Sequence, residues 1–561
     1  MVEKHILALQ LSHILGEDFP RDWVHGLIET PKQADHGDLA FPCFQLAKMF
    51  RKSPAEIAKE IAPKLQHQVF QQVRPVGGYI NIFLNQSFIA DHTLQQLLAD
   101  PGQFGDLQFG KGETIVLDMS APNIAKPFSM GHLRSTVIGN ALANLAEKCG
   151  YETVKINYIG DYGTQFGKLL AAYQKWGDEK SVRENPIQEL TKIYVKFHEA
   201  SKEDPSLIDE GRSWFKKLEE QDDEAVKLWR WFKDASLEEF EKIYRLLGID
   251  FDLIRGEAYY NDKMSDTINL LRDEQLLVDS EGAQVVRLDE VGLPPCLIRK
   301  SDGTTIYATR DLTAAIDRFN NYQFNEALYV VGHEQTLHFQ QIQQVLQKMN
   351  FSWAPNLKHI SFGMMLKDGK KMSTRQGKTV LLEQVLKEAI TRAEENIEEK
   401  NPTLANAGEI AEQVGVGAVI FHDLKHDRRN DVEFSLEDML TFEGNTAPYI
   451  QYTHARAASL LEKGSFRLKD AVTTFDDELA WPIIKLVRNY PVVVENAYKD
   501  YDPSKIAKYL LDASRAFNQY YAKTKILESD QQQARLTVIF ALTVVLKDGL
   551  NILGIQAPLQ M

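Results

Sequence analysis

Apolar positions recur along this chain in three successive rhythms, and each predicts a different kind of structure. From residue 1 to about 110, helical spacing at Met1–Leu15 and Phe44–Leu65 is followed by a strand-like run at Tyr79–Leu84 behind Gly77 and Gly78. This predicts a small α/β unit. Asp100–Gly112, with four glycines among thirteen residues, reads as a linker. Thr114–Met119 then has strand character, and a loop containing Pro and Gly leads into the helical pattern Leu133–Lys148, closed by Gly150 and followed by the strand Val154–Tyr158. Strand, loop, helix and strand in that order make a βαβ unit, which implies a parallel sheet with a right-handed crossover.

Between Lys175 and Tyr244 the chain is densely charged at helical spacing, as in Glu189–Glu203 and Trp214–Leu228, and reads as a helical insertion spanning about 175–250. Strand candidates return at Gln284–Leu288, Leu297–Arg299, Thr305–Ala308 and Ala327–Val331, before a helix at Thr336–Met349. From about Gly408 onward nearly every segment is helix-like, including Tyr449–Glu462, Ala480–Asp500 and Ile506–Thr524. The predicted fold is α/β: a Rossmann-like parallel-sheet domain over 111–407 carrying the insertion, a small N-terminal α/β domain over 1–110, and an all-α domain over 408–561.

Composition changes this picture little. With 561 residues, 44% apolar and 25% charged, the chain is an ordinary globular protein of several domains without long disorder. A net charge of −15 argues against sequence-independent nucleic-acid binding. Residues 441–561, however, hold 14 Lys+Arg against 13 Asp+Glu, so a local nucleic-acid surface there stays open. Cys43, Cys149 and Cys296 are far apart and form no C-x-x-C pair, which excludes a disulfide framework and a cysteine-rich zinc site and suits a reducing cytoplasm. The first residues, with Glu3, Glu17 and Asp18, lack a secretory pattern, and the longest apolar run, Leu536–Leu546, is too short to span a bilayer.

Two segments carry chemistry. Ser120-Ala-Pro-Asn-Ile-Ala-Lys-Pro-Phe-Ser-Met-Gly-His-Leu-Arg-Ser-Thr136 lies where the first parallel strand hands over to its helix, the place where open α/β sheets bind ligands. Gly131 lets a flat base approach the backbone, the helix N-terminus favours an anion, and His132 with Lys126 can meet a phosphate as charge develops. Lys370-Lys-Met-Ser-Thr-Arg-Gln-Gly377 follows the turn Lys367-Asp-Gly-Lys370 and places four cations within Lys367–Arg375, a composition suited to a polyphosphate. Gly-His by itself is usually an ordinary strand–helix turn, and a basic loop is usually solvated surface. Together they fit an enzyme that transfers an adenylyl group.

The pair resembles the two signatures of class I aminoacyl-tRNA synthetases, and the long first segment resembles specifically that of the arginyl-tRNA synthetases. The likeness extends along the chain through Asn157-Tyr-Ile-Gly-Asp-Tyr-Gly-Thr-Gln-Phe-Gly167, Asp302-Gly-Thr-Thr-Ile-Tyr-Ala-Thr-Arg-Asp311, Tyr329-Val-Val-Gly-His-Glu-Gln-Thr-Leu-His-Phe339, Ala447-Pro-Tyr-Ile-Gln-Tyr-Thr-His-Ala-Arg456 and Leu553-Gly-Ile-Gln-Ala-Pro558. It implies His132, Lys126, Lys371 and Ser373 as catalytic residues, and Ser129, Gly131, His132, Met372 and Lys370 around ATP. Arginine would be held at its guanidinium by Glu257, Tyr307 and Asp311 and at its amino-acid head by Asn123 and Gln335. Two carboxylates suit a planar five-donor fork, whereas a lysine pocket needs only one. The N-terminal domain would grip the tRNA elbow through Tyr79 and Asn81, and the helical domain would read the anticodon through Tyr449, Gln451, Tyr452 and Arg456.

The resemblance further implies ATP with Mg2+ as substrate, no tightly bound metal, a cytoplasmic monomer, and arginine activation that waits for bound tRNA. Two departures stand out: Ser129 replaces the usual histidine of the first signature, and Thr374-Arg375 replace the closing Lys-Ser of the second, leaving Lys371 as the favoured phosphate contact. His333-Glu334 with His338 is one residue too long for a zinc H-E-x-x-H motif and reads as an active-site polar cluster. His422 and His426, with no third ligand evident, read as a helix-surface pair. The rival readings are a nucleotidyltransferase that makes a cofactor and a non-catalytic tRNA-binding paralogue.

Overall fold

A computed structural model describes residues 2–31, 33–301, 303–367, 369–371, 381–441, 443–474 and 477–561. The chain divides into two compact units: Met1–Phe104 with Arg456–Pro491 and Ala513–Val545, and Gly105–Ala455 with Val492–Asp512 and Leu546–Met561.

In the first unit, β1 (Leu39–Pro42), β2 (Phe70–Val76) and β3 (Tyr79–Leu84) form an antiparallel sheet with β3 in the middle. Gly77 and Gly78 make the two-residue turn between β2 and β3, with Gly77 at φ 56°, a left-handed conformation that favours glycine. The expected helix at the start of the chain is present as Val2–Leu15. The expected helix over Phe44–Leu65 is instead broken into short pieces. Arg51 turns left-handed, and Ser53 then caps a new helix at Pro54–Ile61 through a reciprocal bond with Glu56. Proline can start that helix but cannot continue the previous one, because it lacks the N–H and restricts the residue before it. Segments from late in the chain complete the unit: Arg488 pairs with Glu3, and Thr473 donates to Asp91.

The second unit is built on a five-stranded parallel sheet in the order β11-β10-β4-β5-β6, with β4 at Thr114–Met119, β5 at Glu152–Asn157, β6 at Leu253–Ile254, β10 at Glu326–Tyr329 and β11 at Leu357–His359. The helix Met130–Lys148 crosses from β4 to β5, as expected. Gly139 is required there, because a Cβ would lie 2.5 Å from the Met119 side chain. β4 has β5 on one side and β10 on the other, so the chain leaves it in both directions and a crevice opens at the carboxyl ends of β4 and β10. Val116, Ile156, Leu312, Ala327 and Val345 pack around this sheet.

Helices Pro186–Glu203, Ser206–Glu219 and Asp223–Leu247 form the insertion between β5 and β6. The expected helix Trp214–Leu228 is interrupted: Gln221 adopts φ 60° and Asp222 caps the next helix through the N–H of Ala225. β7 (Leu277–Ser280), β8 (Ala283–Val286) and β9 (Cys296–Arg299) form a separate antiparallel sheet. Thr305–Ala308 is not a strand. Apart from a single bridge between Thr305 and Arg299, the segment runs into the helix Tyr307–Tyr322. β12 (Met365–Lys367) pairs with β13 (Lys370–Lys371) as a hairpin and with β14 (Val432–Glu433) in parallel. No helix among the described residues is long and apolar enough to cross a membrane.

Candidate active site

A cavity of about 430 Å³ occupies the crevice at the ends of β4 and β10, and Asn123, Glu257, Tyr307, Asp311 and Gln335 all line it. Five residues spread over more than two hundred positions of sequence are thus brought to one wall or another of a single space. Tyr307 and Asp311 reach it from the first turns of the helix Tyr307–Tyr322, with Ala314 and Arg318 below them. Spacings of four, seven and eleven put these residues on one helical face. That period was legible in the sequence, but the β-branched run Thr304-Thr305-Ile306 in front of it masks the helix start.

Each acid in the cavity has a resident partner. Asp118, at the end of β4, is paired with Arg318 at 2.7 Å, both nearly buried. Asp311 accepts from Nε2 of His338 at 2.7 Å. Glu257 faces Arg310 at 3.8 Å, and Arg310 also donates to Asn261. Burial pushes the Glu257 carboxyl up to about 7; Arg310 opposes that shift, while Asp311 and Asp161 add to it. The loop bearing Glu257 is pinned by Asp161, which is fully buried, accepts from the N–H of Ala258 at 2.9 Å and pairs with Lys233 at 2.7 Å. Asn123 is set by an equally tight junction: it bridges to Gly160, where a Cβ would lie 2.3 Å from its Oδ1. Sequence reading alone did not assign Asp118, Asp161 or Arg318 a place at this site, and it left His338 as an unspecified polar cluster.

The loop before the helix Met130–Lys148 lies beside this cavity in the same crevice. Ser120, Ala121 and Ala125 adopt left-handed φ of 72°, 51° and 57°. Such strain in residues other than glycine persists only where surrounding contacts over-determine it. Ser120 is held through its N–H by Ser135 and through its hydroxyl by Tyr244, and Ala121 donates to Asn157. The backbone N–H of Ser129 donates to Nδ1 of His132 at 3.1 Å. That fixes the tautomer, because Nδ1 is the acceptor and the proton must sit on Nε2. Burial, with Lys126 contributing, lowers the His132 pKa to about 4, so the ring is a neutral N–H donor near neutral pH. Lys126 reaches Gln165 at 3.4 Å. Gly131 is exposed, and a Cβ there would meet only the Ser129 hydroxyl, at 3.6 Å.

Of the second signature, Lys370 lies exposed in β13, with Gly369, in the turn before it, donating to the Glu433 carboxylate of β14, the strand on the far side of β12. Lys371 continues the strand, while its side chain, Met372 and Ser373 lie outside the described residues. Beyond that signature, Leu381 bridges to Ser129 and the N–H of Leu382 donates to the carbonyl of Phe128 at 3.1 Å. The first signature is therefore bonded through its backbone to the segment that follows the second. Arg134, buried two residues beyond His132, pairs with Asp423 at 2.9 Å and donates to the carbonyls of Arg428 and Asn430, anchoring that helix to the segment just before β14.

The nucleic-acid candidates divide by exposure. Tyr452 is exposed, Tyr449 and Arg456 are half-buried, and all lie on the helix Ala447–Lys463. Arg456 donates to Asn518 and sits over the ring of Tyr521. Gln451, expected at that surface, is instead fully buried, its amide donating to the carbonyls of Gln413 and Gln556. Asn81 is likewise buried in β3, the middle strand, while Tyr79 is half-buried against Phe44. A side chain at the centre of a covered sheet serves packing rather than a surface. The histidines 422 and 426 are not a helix-surface pair: His422 is buried and its Nε2 donates to the carbonyl of Glu433, and His426 lies beyond the end of the helix Ala407–Leu424.

Comparison with known proteins agrees with this arrangement. The catalytic-domain model of class I tRNA synthetases (R) matches residues 93–436, the DALR anticodon binding domain residues 450–561, and the arginyl tRNA synthetase N terminal domain residues 4–84. The chain is 56% identical to an arginine–tRNA ligase of Bacillus anthracis, with 99% of each chain covered, and 50% identical to that of Enterococcus faecalis, with 100% of each covered. The fold superposes on an arginyl-tRNA synthetase of Thermus thermophilus with a TM-score of 0.81 at 24% identity, covering 95% of this chain and 96% of that one. With its N-terminal, catalytic and anticodon-binding regions all matched, this chain belongs to the arginyl-tRNA synthetase family.

Proposed function

We propose that this enzyme activates L-arginine with ATP and transfers it to the 3′ end of arginine tRNA, and that the cavity between β4 and β10 is its amino-acid site. The observation that carries the reading is the convergence of Glu257, Asp311, Tyr307, Asn123 and Gln335 on that one cavity, beside the His132 loop. Two carboxylates reaching one cavity from separate elements match a planar guanidinium.

In the first step a carboxylate oxygen of arginine attacks the α-phosphorus of ATP, which enters as its magnesium complex. The bond to the bridging oxygen breaks, and pyrophosphate leaves with the electron pair. The proton fixed on Nε2 of His132 gives a donor that stabilises charge as it appears on phosphate without adding a permanent charge. Lys126 and the second signature, through Lys370, Lys371, Met372 and Ser373, supply the cations and donors for the departing pyrophosphate. Gly131, which neither its backbone nor its protein neighbours require, leaves room for the adenine or ribose beside Ser129. In the second step a terminal ribose hydroxyl of the tRNA attacks the arginyl carbonyl and releases AMP, with no covalent enzyme intermediate.

We further assign tRNA contacts to Tyr449, Tyr452 and Arg456 and to the surface around Tyr79, and we take the enzyme to act in the cytoplasm as a monomer whose arginine activation requires tRNA. Charging of total tRNA with labelled arginine and ATP tests the function directly. ATP–pyrophosphate exchange that proceeds without arginine would replace it with a nucleotidyltransferase, and exchange equally fast with and without tRNA would remove the tRNA requirement.

A further inference from the structure

We infer that His338 is a positioning residue for arginine recognition, one imidazole that orients both the carboxylate of Asp311 and the ring of Tyr307; this rests on the arginine reading of the cavity. His338 lies in the first turn of the helix Thr336–Lys348, almost buried at 8% exposure. Its Nε2 lies 2.7 Å from Oδ2 of Asp311, and its ring centroid lies 4.8 Å from that of Tyr307. Tyr307 itself is 57% exposed, so burial does little to fix it, and the imidazole packs against its ring. Phe339 and Tyr307 confine the imidazole on two sides.

The chemistry of the contact explains why a histidine suits the position. A carboxylate only accepts, so the bond places the proton of the imidazole on Nε2. The bond holds Oδ2 in place and leaves Oδ1 of Asp311 for a ligand. Glu257, like-charged and facing the same cavity, repels Asp311, and the bond from His338 opposes that repulsion. A guanidinium needs a carboxylate in its own plane to make two parallel bonds, whereas an ammonium needs only nearby charge. Loosening Asp311 therefore penalises arginine more than lysine.

The test uses the full-length enzyme with arginine, ATP and tRNA. His338→Phe keeps a ring against Tyr307 and removes the donor. It is expected to raise the KM for arginine by about ten- to a hundredfold, the range for losing a hydrogen bond to a charged group, to leave the KM for ATP unchanged, and to narrow the preference for arginine over lysine as a competing inhibitor. His338→Gln, whose amide nitrogen falls near the position of Nε2, is expected to restore most of the affinity. Asp311→Asn is measured beside them. If it raises the arginine KM while His338→Phe does not, the positioning role is overturned and the arginine site stands; if Asp311→Asn has no effect either, the arginine reading of the cavity itself fails. Equal losses in His338→Phe and His338→Gln, or a parallel rise in the KM for ATP, would mean His338 serves only to pack the fold. Should His338→Phe not fold, His338→Asn, too short to reach Asp311, takes its place against His338→Gln.

Discussion

The amino-acid cavity and the loop at the foot of the helix Met130–Lys148 lie in one crevice but handle charge in opposite ways. In the cavity, Asp118, Glu257 and Asp311 are carboxyl groups brought from three elements, each steadied by Arg318, Arg310 or His338. In the loop, the central group is a neutral imidazole whose proton is placed on Nε2 by the bond from the N–H of Ser129. The difference follows from the ligands assigned to each. Arginine carries its charge before, during and after the reaction, so fixed countercharges can select it. On ATP the charge to be stabilised shifts only in the transition state, and preorganised dipoles meet it without over-binding the ground state.

The sharpest way to break the comparison is to remove the dipole. His132→Ala is expected to lower kcat by about a hundred- to a thousandfold, the usual loss for a donor aimed at developing charge. Ser129→Ala should cost only a few-fold, because it removes the hydroxyl, 3.2 Å from Nδ1, but keeps the backbone N–H that donates to the same nitrogen at 3.1 Å; steady-state kinetics of charging give both values. Equal losses would mean that the roles given to the first signature are misassigned.

A smaller effect separates the two regions by pH. The Glu257 carboxyl, pushed up to about 7 by burial, holds a proton below that pH and must lose it to bind a guanidinium. The KM for arginine should therefore fall as pH rises through about 7, with a slope approaching tenfold per unit on the acid side. Glu257→Gln should flatten that profile. His132, lowered to about 4, should add no inflection in kcat between pH 6 and 8. The smallest effect sharpens the geometry: Gly160→Ala puts a Cβ 2.3 Å from Oδ1 of Asn123 and forces that side chain aside. Loss of one hydrogen bond to the amino-acid head should raise the arginine KM about three- to tenfold, leaving the KM for ATP unchanged.

Legibility followed range. The crossover from β4 through its helix to β5 was readable because period-2 and period-3.6 patterns meet within one short stretch, and the Gly-His loop falls at their junction. Elements set by distant partners were not readable. β6 and β11 have two and three residues and exist only because β5 and β10 offer them an edge. The helix from Tyr307 starts behind three β-branched residues that locally favour a strand, and is decided by burying Leu312 and Ala315 against the parallel sheet. The resemblance implies Gln451 as a surface reader, yet its amide donates to two carbonyls, of Gln413 and Gln556, far away in sequence.

The sequence by itself determined the family and with it the reaction class, since the two signatures are local strings that stand in the sequence whatever surrounds them, and the resemblance they carry implies the residues of the site. Only the tertiary structure decided how those residues act. Which partner steadies Asp311, why Asp161 and Arg134 are buried charges, and which aromatic and polar residues remain at a surface all depend on groups tens to hundreds of residues apart. Protonation and orientation are set by burial and by hydrogen-bond partners, and neither exists until the chain has folded.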